Sequence, residues 1–255
     1  MNDYFSFITN FHKLTGLDLS AYKRPQMERR LTSLMSKYGI DDVRDLLSKL
    51  AQDDNLLNEF LDRVTINVTE FFRNPERWQD LTRILRGYNS TSSTLDVWSA
   101  ACSSGEEPYT LAMIFQDELK RPYKILATDI DKNMLSEAAK GQYRKSQIAH
   151  VPEPMLQRHF SEDLPGHFSI DPSLKKSIQF QQHNLLSPSY PSAKDLIVCR
   201  NVLIYFTDEA KAEIIRKFTQ SLKPNGILFL GSTEAIVHGV AELKSVAPFI
   251  YRKVV

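Results

Sequence analysis

The pattern of hydrophobic and polar positions divides the chain into two parts. In roughly the first 65 residues, apolar residues such as Tyr4, Ile8 and Phe11 recur three or four positions apart, which is the spacing of one helix face. From Leu95 onward, short apolar runs alternate with helix-like segments, which is typical of a parallel sheet covered on both faces. We therefore predict an all-helical domain over 1–65, a connecting segment over 66–94, and an α/β domain over 95–255.

Individual elements follow from the same periodicity. The first part contains predicted helices near residues 4–15, 25–38, 41–51 and 55–65. The second part contains predicted strands near residues 95–98, 124–127, 177–182, 195–199, 227–231 and 249–253, and predicted helices near 109–119, 133–140 and 208–222. The proline-containing segment 141–176 interrupts this alternation and is longer than an ordinary connection in such a sheet. We expect an inserted lobe there.

The stretch from Leu95 to Pro108 is the main candidate for a ligand site. Its apolar run passes through small residues into Glu106 and Glu107, so a ligand can approach the backbone closely at the carboxyl edge of the sheet. It has neither the G-x-G-x-x-G spacing of dinucleotide sites nor the lysine of a P-loop. Carboxylates facing the ligand would repel phosphate and suit a cation, so S-adenosylmethionine, which carries a sulfonium and an ammonium group, fits.

A second candidate position lies at the end of the next predicted strand. Asp129 follows the small-residue loop by about 20 residues and is placed to bind both hydroxyls of a ribose. The alternative role for an aspartate here is a helix cap, and Asp131 is better placed for it.

Composition limits the classes of protein to be considered. A formal net charge of +1 gives no overall electrostatic attraction to nucleic acid. No secretory leader pattern is present, and no apolar run approaches the ~20 residues of a membrane span, so we expect no membrane insertion. Cys102 and Cys199 are too few for a disulfide framework, which indicates a reducing cytoplasm. The six histidines show no metal-ligand spacing, so we expect no metal.

Basic side chains gather on one face of the second predicted helix. On a helical wheel, Arg29, Arg30 and Lys37 lie in a sector away from the apolar face. Two interpretations remain open, a solvated helix face or a docking surface for an acidic helical partner.

Several motifs, taken in order, carry a resemblance to a known family. They are NVTEFFRN at 67–74, SAACSSGEEPY at 99–109, ATDID at 127–131, HNLL at 183–186 and VCRNVLIYF at 198–206. With the helical N-terminal part, this order resembles the CheR family of chemotaxis receptor methyltransferases over essentially the whole chain.

The resemblance implies a fold and an activity. The fold is a Rossmann-like class I S-adenosylmethionine-dependent methyltransferase sheet, with an N-terminal helical domain and an antiparallel β-subdomain inserted at about 141–182. The activity is transfer of a methyl group from S-adenosylmethionine to glutamate side chains of chemotaxis receptors, which forms glutamyl methyl esters and S-adenosylhomocysteine. We expect a cytoplasmic monomer that is recruited to membrane-bound receptor arrays.

Site residues are also implied by the resemblance. Arg73 and Tyr205 would lie closest to the reacting methyl group. The cofactor contacts would be Asn67, Thr69, Arg73, Glu106, Asp129, Asn184, Leu185, Arg200 and Asn201. Arg29, Arg30 and Lys37 would dock on the methylation helices of the receptor.

Two other classes of protein stay open from the sequence. A small-molecule S-adenosylmethionine-dependent O-methyltransferase would leave the basic helix unexplained. A non-catalytic cofactor-binding module would be expected to have lost Arg73 or Glu106, and both are present.

Overall fold

The computed structural model of the 255-residue chain describes residues 3–64, 69–90, 92–236 and 240–254. Its backbone forms two compact units. One comprises the N-terminal residues to 66 together with 205–214, and the other comprises 67–204 together with 215–255. Segment 205–214 therefore belongs to the helical unit, although the hydrophobic pattern assigned it to the α/β domain.

Four α-helices lie in the described N-terminal part of the first unit. They are α1 (Tyr4–Thr15), α2 (Arg24–Tyr38), α3 (Val43–Leu50) and α4 (Asp54–Val64). Phe11 and Phe60 are fully buried between them, with ring centroids 5.1 Å apart in an edge-to-face arrangement. These helices confirm the four predicted from the apolar spacing.

Backbone contacts attach segment 205–214 to this unit. The amide of Lys23 donates to the carbonyl of Tyr205, and the amide of Thr207 donates to the carbonyl of Ala21, both at 2.8 Å. The rings of Tyr22 and Phe206 lie 4.6 Å apart. Hydrogen bonds between such distant positions leave no periodic signal in the sequence.

Ten strands lie in the described part of the second unit. They are β1 (Leu95–Ala100), β2 (Tyr123–Asp129), β3 (Gln142–Arg144), β4 (Phe160–Leu164), β5 (His167–Ile170), β6 (Ile178–Gln182), β7 (Lys194–Cys199), β8 (Leu222–Leu230), β9 (Leu243–Ala247) and β10 (Ile250–Lys253). Seven form a sheet in the order β6-β2-β1-β7-β8-β10-β9. The first five are parallel, and β10 is antiparallel to both of its neighbours.

Further helices precede β1 or connect the strands. They are α5 (Pro75–Arg86), α6 (Glu106–Met113), a π-helical turn (Ile114–Leu119), α7 (Lys132–Lys140), α8 (Glu153–His159), α9 (Pro172–Lys175) and α10 (Asp208–Ser221). Helix α5 lies in the predicted connecting segment and was not predicted. An Asn-Pro pair is typical of a turn, but Pro75 occupies the first helical turn, where proline is tolerated. Trp78 and Leu81 are buried at helical spacing behind it.

The predicted inserted lobe contains a separate small sheet. Strands β3, β5 and β4 pair antiparallel in that order. The small sheet therefore ends at Ile170. Strand β6, which the predicted range 141–182 included, instead pairs in parallel with β2 at the edge of the large sheet.

The order of the strands determines where a ligand site can form. From β1 the chain proceeds to β2 and later β6 on one side, and then crosses to β7 on the other side of β1. The switch point of the sheet therefore lies beside β1. In open parallel sheets, ligands bind outside the carboxyl ends of the strands at this point. Among the helices in the described ranges, none has both the length and the apolar composition of a membrane span.

Candidate functional site

The loop that follows β1 has an unusual backbone. Ala101, Ser103 and Gly105 all have positive φ angles, of 65°, 47° and 95°. A Cβ atom on Gly105 would lie 2.9 Å from Cβ of Ala138 and 3.1 Å from the hydroxyl of Tyr143, so only glycine fits. The amide of Cys102 donates to the carbonyl of Thr128 at 2.9 Å. These contacts hold the loop against the carboxyl end of β2.

Asp129, the last residue of β2, fixes this loop through its carboxylate. One oxygen accepts from the amide of Ser103 at 2.8 Å, and the other accepts from the amide of Asp131 at 3.0 Å. The side chain is buried, and burial raises the pKa of Asp129 against the lowering effect of these amides. A carboxylate has about four lone-pair sites, so both oxygens can still accept further hydrogen bonds, as a ribose would require.

Glu106 begins helix α6 with a fully buried side chain. Its carboxylate accepts from the hydroxyl of Ser104 at 2.8 Å and from the side-chain amide of Gln147 at 2.7 Å. Burial raises the pKa of Glu106, and these two donors partly oppose that shift. A buried carboxylate with two donors is oriented and is suited to a cationic group.

Glu107 lies beside it with a different partner. Its carboxylate accepts from the hydroxyl of Ser99 at 2.8 Å. Burial raises the pKa of Glu107 to about 7, although the nearby Arg200 guanidinium opposes the shift. This glutamate therefore titrates close to neutral pH.

Arg73 lies in a strained turn before α5. Its neighbours Phe72 and Asn74 have φ angles of 52° and 60°. The carbonyl of Arg73 accepts from the indole of Trp78 at 3.0 Å and from the guanidinium of Arg200 at 2.8 Å. The backbone of Arg73 is therefore held from both sides.

Arg200 follows β7 and is itself buried. Its guanidinium carbon lies 5.0 Å from the ring of Trp78 and 4.8 Å from that of Phe229. Burial lowers its pKa, and attraction to Glu107 opposes that shift. The contacts of Arg200 show it bracing the turn that carries Arg73, a role that the sequence did not indicate.

Glu234 organises the strand edge although no sequence motif marks it. Its fully buried carboxylate accepts four backbone amides, those of Asn201 at 2.9 Å, Leu203 at 2.6 Å, Ile204 at 3.3 Å and Gly231 at 2.7 Å. Asn201 is thereby held at a φ of 61°. A lone glutamate after a strand gave no motif, so only the fold identifies Glu234 as the organiser of the loop after β7.

The remaining cofactor candidates lie at neighbouring strand ends. Asn184 and Leu185 follow β6, whose next residue, His183, donates its amide to the carbonyl of Asp129 at 2.9 Å. The side-chain oxygen of Asn184 accepts from the amide of Leu186 at 2.9 Å. Thr69 is half-buried and lies outside any helix or strand, whereas Asn67 lies outside the described residues. The structure thus brings Glu106, Asp129, Asn184, Leu185, Arg200 and Asn201 to the carboxyl ends of adjacent strands.

Tyr205 and the basic helix lie in the first unit. The guanidinium of Arg30 lies 5.2 Å from the ring centre of Tyr205 and also donates to the carbonyl of Val64. Lys37 pairs with Glu59 at 2.8 Å, and with Tyr38 this lysine lowers the pKa of Glu59 to about 2. Arg29 is exposed. Of the three predicted docking residues, Arg30 and Lys37 therefore have partners within their own unit.

The residues at the strand ends fit S-adenosylmethionine. The hydroxyl of Ser103 is buried in the loop without a hydrogen-bond partner among the described residues, as expected of a group that meets a ligand. The loop presents carboxylates rather than lysine or arginine, which suits a cationic ligand better than a phosphate. Within the described ranges, no group of three or more metal-ligating side chains occurs.

Comparisons with known proteins show which family the chain resembles. The family model described as "CheR methyltransferase, SAM binding domain" matches residues 67–249, where SAM is S-adenosylmethionine, and "CheR methyltransferase, all-alpha domain" matches residues 2–65. The chain is similar to the chemotaxis protein methyltransferase of Listeria monocytogenes, with 41% identity covering 98% of this chain and 97% of the relative. It is also similar to those of Borreliella burgdorferi, with 33% identity covering 93% and 89%, and Escherichia coli, with 34% identity covering 89% and 82%.

Fold and site together define a class I S-adenosylmethionine-dependent methyltransferase. The chain belongs to the CheR methyltransferase family.

Glu107 gives a prediction about pH. Because its pKa rises from 4.5 to about 7 on folding, the folded state keeps a proton that the unfolded state releases. The stability from this group is fully present below about pH 4.5 and is lost as the pH rises through 7. Glu107→Gln should therefore flatten the decline of the unfolding free energy between about pH 5 and pH 7, by up to about 1.4 kcal/mol per pH unit.

Urea unfolding at several pH values measures this slope. The matched control is Glu137→Gln, at an exposed glutamate of α7, which should keep the wild-type slope. An unchanged slope in Glu107→Gln would contradict the assignment.

Proposed function

We propose that this enzyme methylates glutamate side chains of chemotaxis receptors, with S-adenosylmethionine as methyl donor and S-adenosylhomocysteine as product. The observation that carries the proposal is the match of both family domains, together with relatives named chemotaxis protein methyltransferases that align over nearly the whole chain. The buried carboxylates of Glu106 and Asp129 at the strand ends support the same cofactor.

S-adenosylmethionine supplies a methyl group bonded to a positively charged sulfur, so attack by a carboxylate reduces charge separation. A glutamate substrate has an ordinary pKa of ~4.3 and is already ionised at neutral pH, so no general base is required. The protein then accelerates the reaction by aligning the reactants and excluding water from the nucleophile.

The strand-end residues are assigned to cofactor binding. Asp129 accepts hydrogen bonds from the ribose hydroxyls, using the acceptor sites that the amides of Ser103 and Asp131 leave open. Glu106 is a buried acceptor for a cationic group. Further contacts are assigned to Asn67, Thr69, Asn184, Leu185, Arg200 and Asn201.

Arg73 and Tyr205 are assigned to the reacting centre. Removing water from a carboxylate favours its protonated form, and a nearby cation opposes this. Arg73 supplies that cation from a turn whose carbonyl is held by Trp78 and Arg200. Tyr205 contributes a hydrogen-bond donor or an apolar wall.

The helical domain, over 1–65, is assigned to receptor docking. Receptor methylation helices are acidic, and α2 carries Arg29, Arg30 and Lys37. Arg29 is exposed, whereas Arg30 and Lys37 have partners within their unit, so Arg29 offers the charge most available to a partner. The enzyme would act as a cytoplasmic monomer that is recruited to membrane-bound receptor arrays. Nucleic acid is not among the proposed partners.

Product chemistry tests the function directly. Purified enzyme, methyl-labelled S-adenosylmethionine and a cytoplasmic receptor fragment should give labelled fragment, and mild alkali should release the label as methanol because esters hydrolyse readily. Label that resists alkali would indicate an amine or amide product. Label that appears only in a small-molecule acceptor would indicate the alternative O-methyltransferase activity.

Arg73→Ala tests the role in alignment. We expect about a 100-fold loss of turnover, because a displaced nucleophile loses the advantage of proximity, while the unfolding free energy changes by less than about 1 kcal/mol. The control is Arg83→Ala, at an exposed arginine of α5, which should keep its turnover. Equal turnover in the two variants would remove Arg73 from the reacting centre.

Charge reversal at Arg29 tests docking. Arg29→Glu should weaken binding of the receptor fragment at low salt and leave the affinity for S-adenosylhomocysteine unchanged, because exposed charges act through screened attraction. Lys49→Glu changes the same charge at an exposed position of α3 and is the matched control. If both variants bind the receptor as the wild type does, α2 is not the docking surface.

A further inference from the structure

Side chains of the inserted lobe contact the loop that follows β1, and no sequence motif marks them. Tyr143, on β3, donates its hydroxyl to the carbonyl of Ser104 at 2.9 Å. Gln147, a few residues further on, donates its side-chain amide to Glu106 at 2.7 Å. Both partners lie in the loop that follows β1.

Gln147 makes contacts in three directions. Its side-chain oxygen accepts from the amide of Arg144 at 2.9 Å, which fixes the side chain within the lobe. Its side-chain nitrogen binds Glu106. Its backbone carbonyl accepts from the amide of Phe71 at 3.3 Å, two residues before Arg73. One residue thus connects the lobe, a buried carboxylate and the turn that carries Arg73.

Aromatic packing holds this arrangement in place. The ring of Phe71 is fully buried and meets the rings of Tyr143 at 4.7 Å and Phe160 at 5.3 Å, both edge to face. The contact between Gln147 and Phe71 therefore lies where the segment before Arg73 packs against the inserted lobe.

We propose that Gln147 is a positioning residue through which the inserted lobe orients Glu106, and with it the cofactor. The inference rests on the proposed function, because it takes Glu106 as a cofactor contact. Nothing in it requires a ligand on the lobe itself.

The consequence of losing the amide follows from the surroundings of Glu106. The titratable groups facing this carboxylate are Cys102 and Tyr143, and burial raises the pKa of each well above its ordinary value, so both are neutral at physiological pH. Among the described residues, the other side-chain donor to this carboxylate is the hydroxyl of Ser104. Without Gln147, Glu106 takes up a proton more readily and loses the charge that suits a cationic ligand.

A purely structural role for Gln147 gives a different result. If Gln147 only packs the lobe, its replacement changes stability and lowers cofactor affinity equally at every pH. If it orients an ionised Glu106, its replacement makes the affinity fall more steeply at low pH than it does in the wild type.

The experiment measures S-adenosylhomocysteine binding by calorimetry from about pH 6 to pH 8.5 in the full chain. Gln147→Met keeps the length of the side chain and removes its amide. We expect binding about tenfold weaker than in the wild type at pH 6 and a smaller loss at pH 8.5. The loss of a hydrogen bond to the charged Glu106 acts at both pH values, and protonation of Glu106 weakens binding further at pH 6. Gln157→Met is the matched control, because Gln157 also donates to a glutamate, Glu153 at 2.8 Å, at an exposed site.

A second variant keeps the test decisive if Gln147→Met does not fold. Tyr143→Phe removes the other contact of the lobe with the loop, and it should weaken binding several-fold at all pH values, since the Ser104 carbonyl does not titrate. If Gln147→Met folds and binds S-adenosylhomocysteine with wild-type affinity across the pH range, the proposal is overturned. If Gln147→Met does not fold, wild-type affinity in Tyr143→Phe overturns it. Failure of the wild type itself to bind S-adenosylhomocysteine would instead overturn the proposed function.

Discussion

The site depends on one physical constraint, which is that a carboxylate removed from water needs hydrogen-bond donors in its place. Asp129, Glu106 and Glu234 are all buried at the carboxyl edge of the sheet. Two of them are satisfied mainly by backbone amides, two donated to Asp129 and four to Glu234. Since each amide must point at its carboxylate, the loops that supply them adopt one conformation.

This constraint explains where backbone strain occurs. Ser103 and Asn201 have positive φ angles, and the amide of each donates to a buried carboxylate. Gly231 also lies against Glu234, and a Cβ there would come within 2.6 Å of the amide nitrogen of Asn201. The strain is stored where the carboxylates hold the loops, which is typical of binding sites. The result is an edge of the sheet at which buried carboxylates fix the loops after β1 and β7.

A second feature of the structure is the set of contacts that hold Arg73 and Tyr205. The turn carrying Arg73 is held by Arg200 from the sheet and, through Phe71, by Gln147 from the inserted lobe. The segment that begins at Tyr205 belongs to the helical unit, where Lys23 binds its backbone and Arg30 covers the ring of Tyr205. Arg73 and Tyr205 are therefore each held by contacts within their own unit.

The sequence by itself determined the elements and the chemistry of the main loop. Helices α1 to α4, the strands ending at Ala100, Asp129 and Cys199, and the placement of Glu106 and Asp129 follow from local periodicity and from residue types at strand ends. Tertiary structure alone shows the bracing roles of Glu234 and Arg200, the contacts of Gln147 and the membership of 205–214 in the helical unit. The physical reason is that these roles depend on hydrogen bonds between distant positions, 41 residues apart for Gln147 and Glu106 and 127 for Arg200 and Arg73, whereas periodicity reports only on neighbours within a few residues.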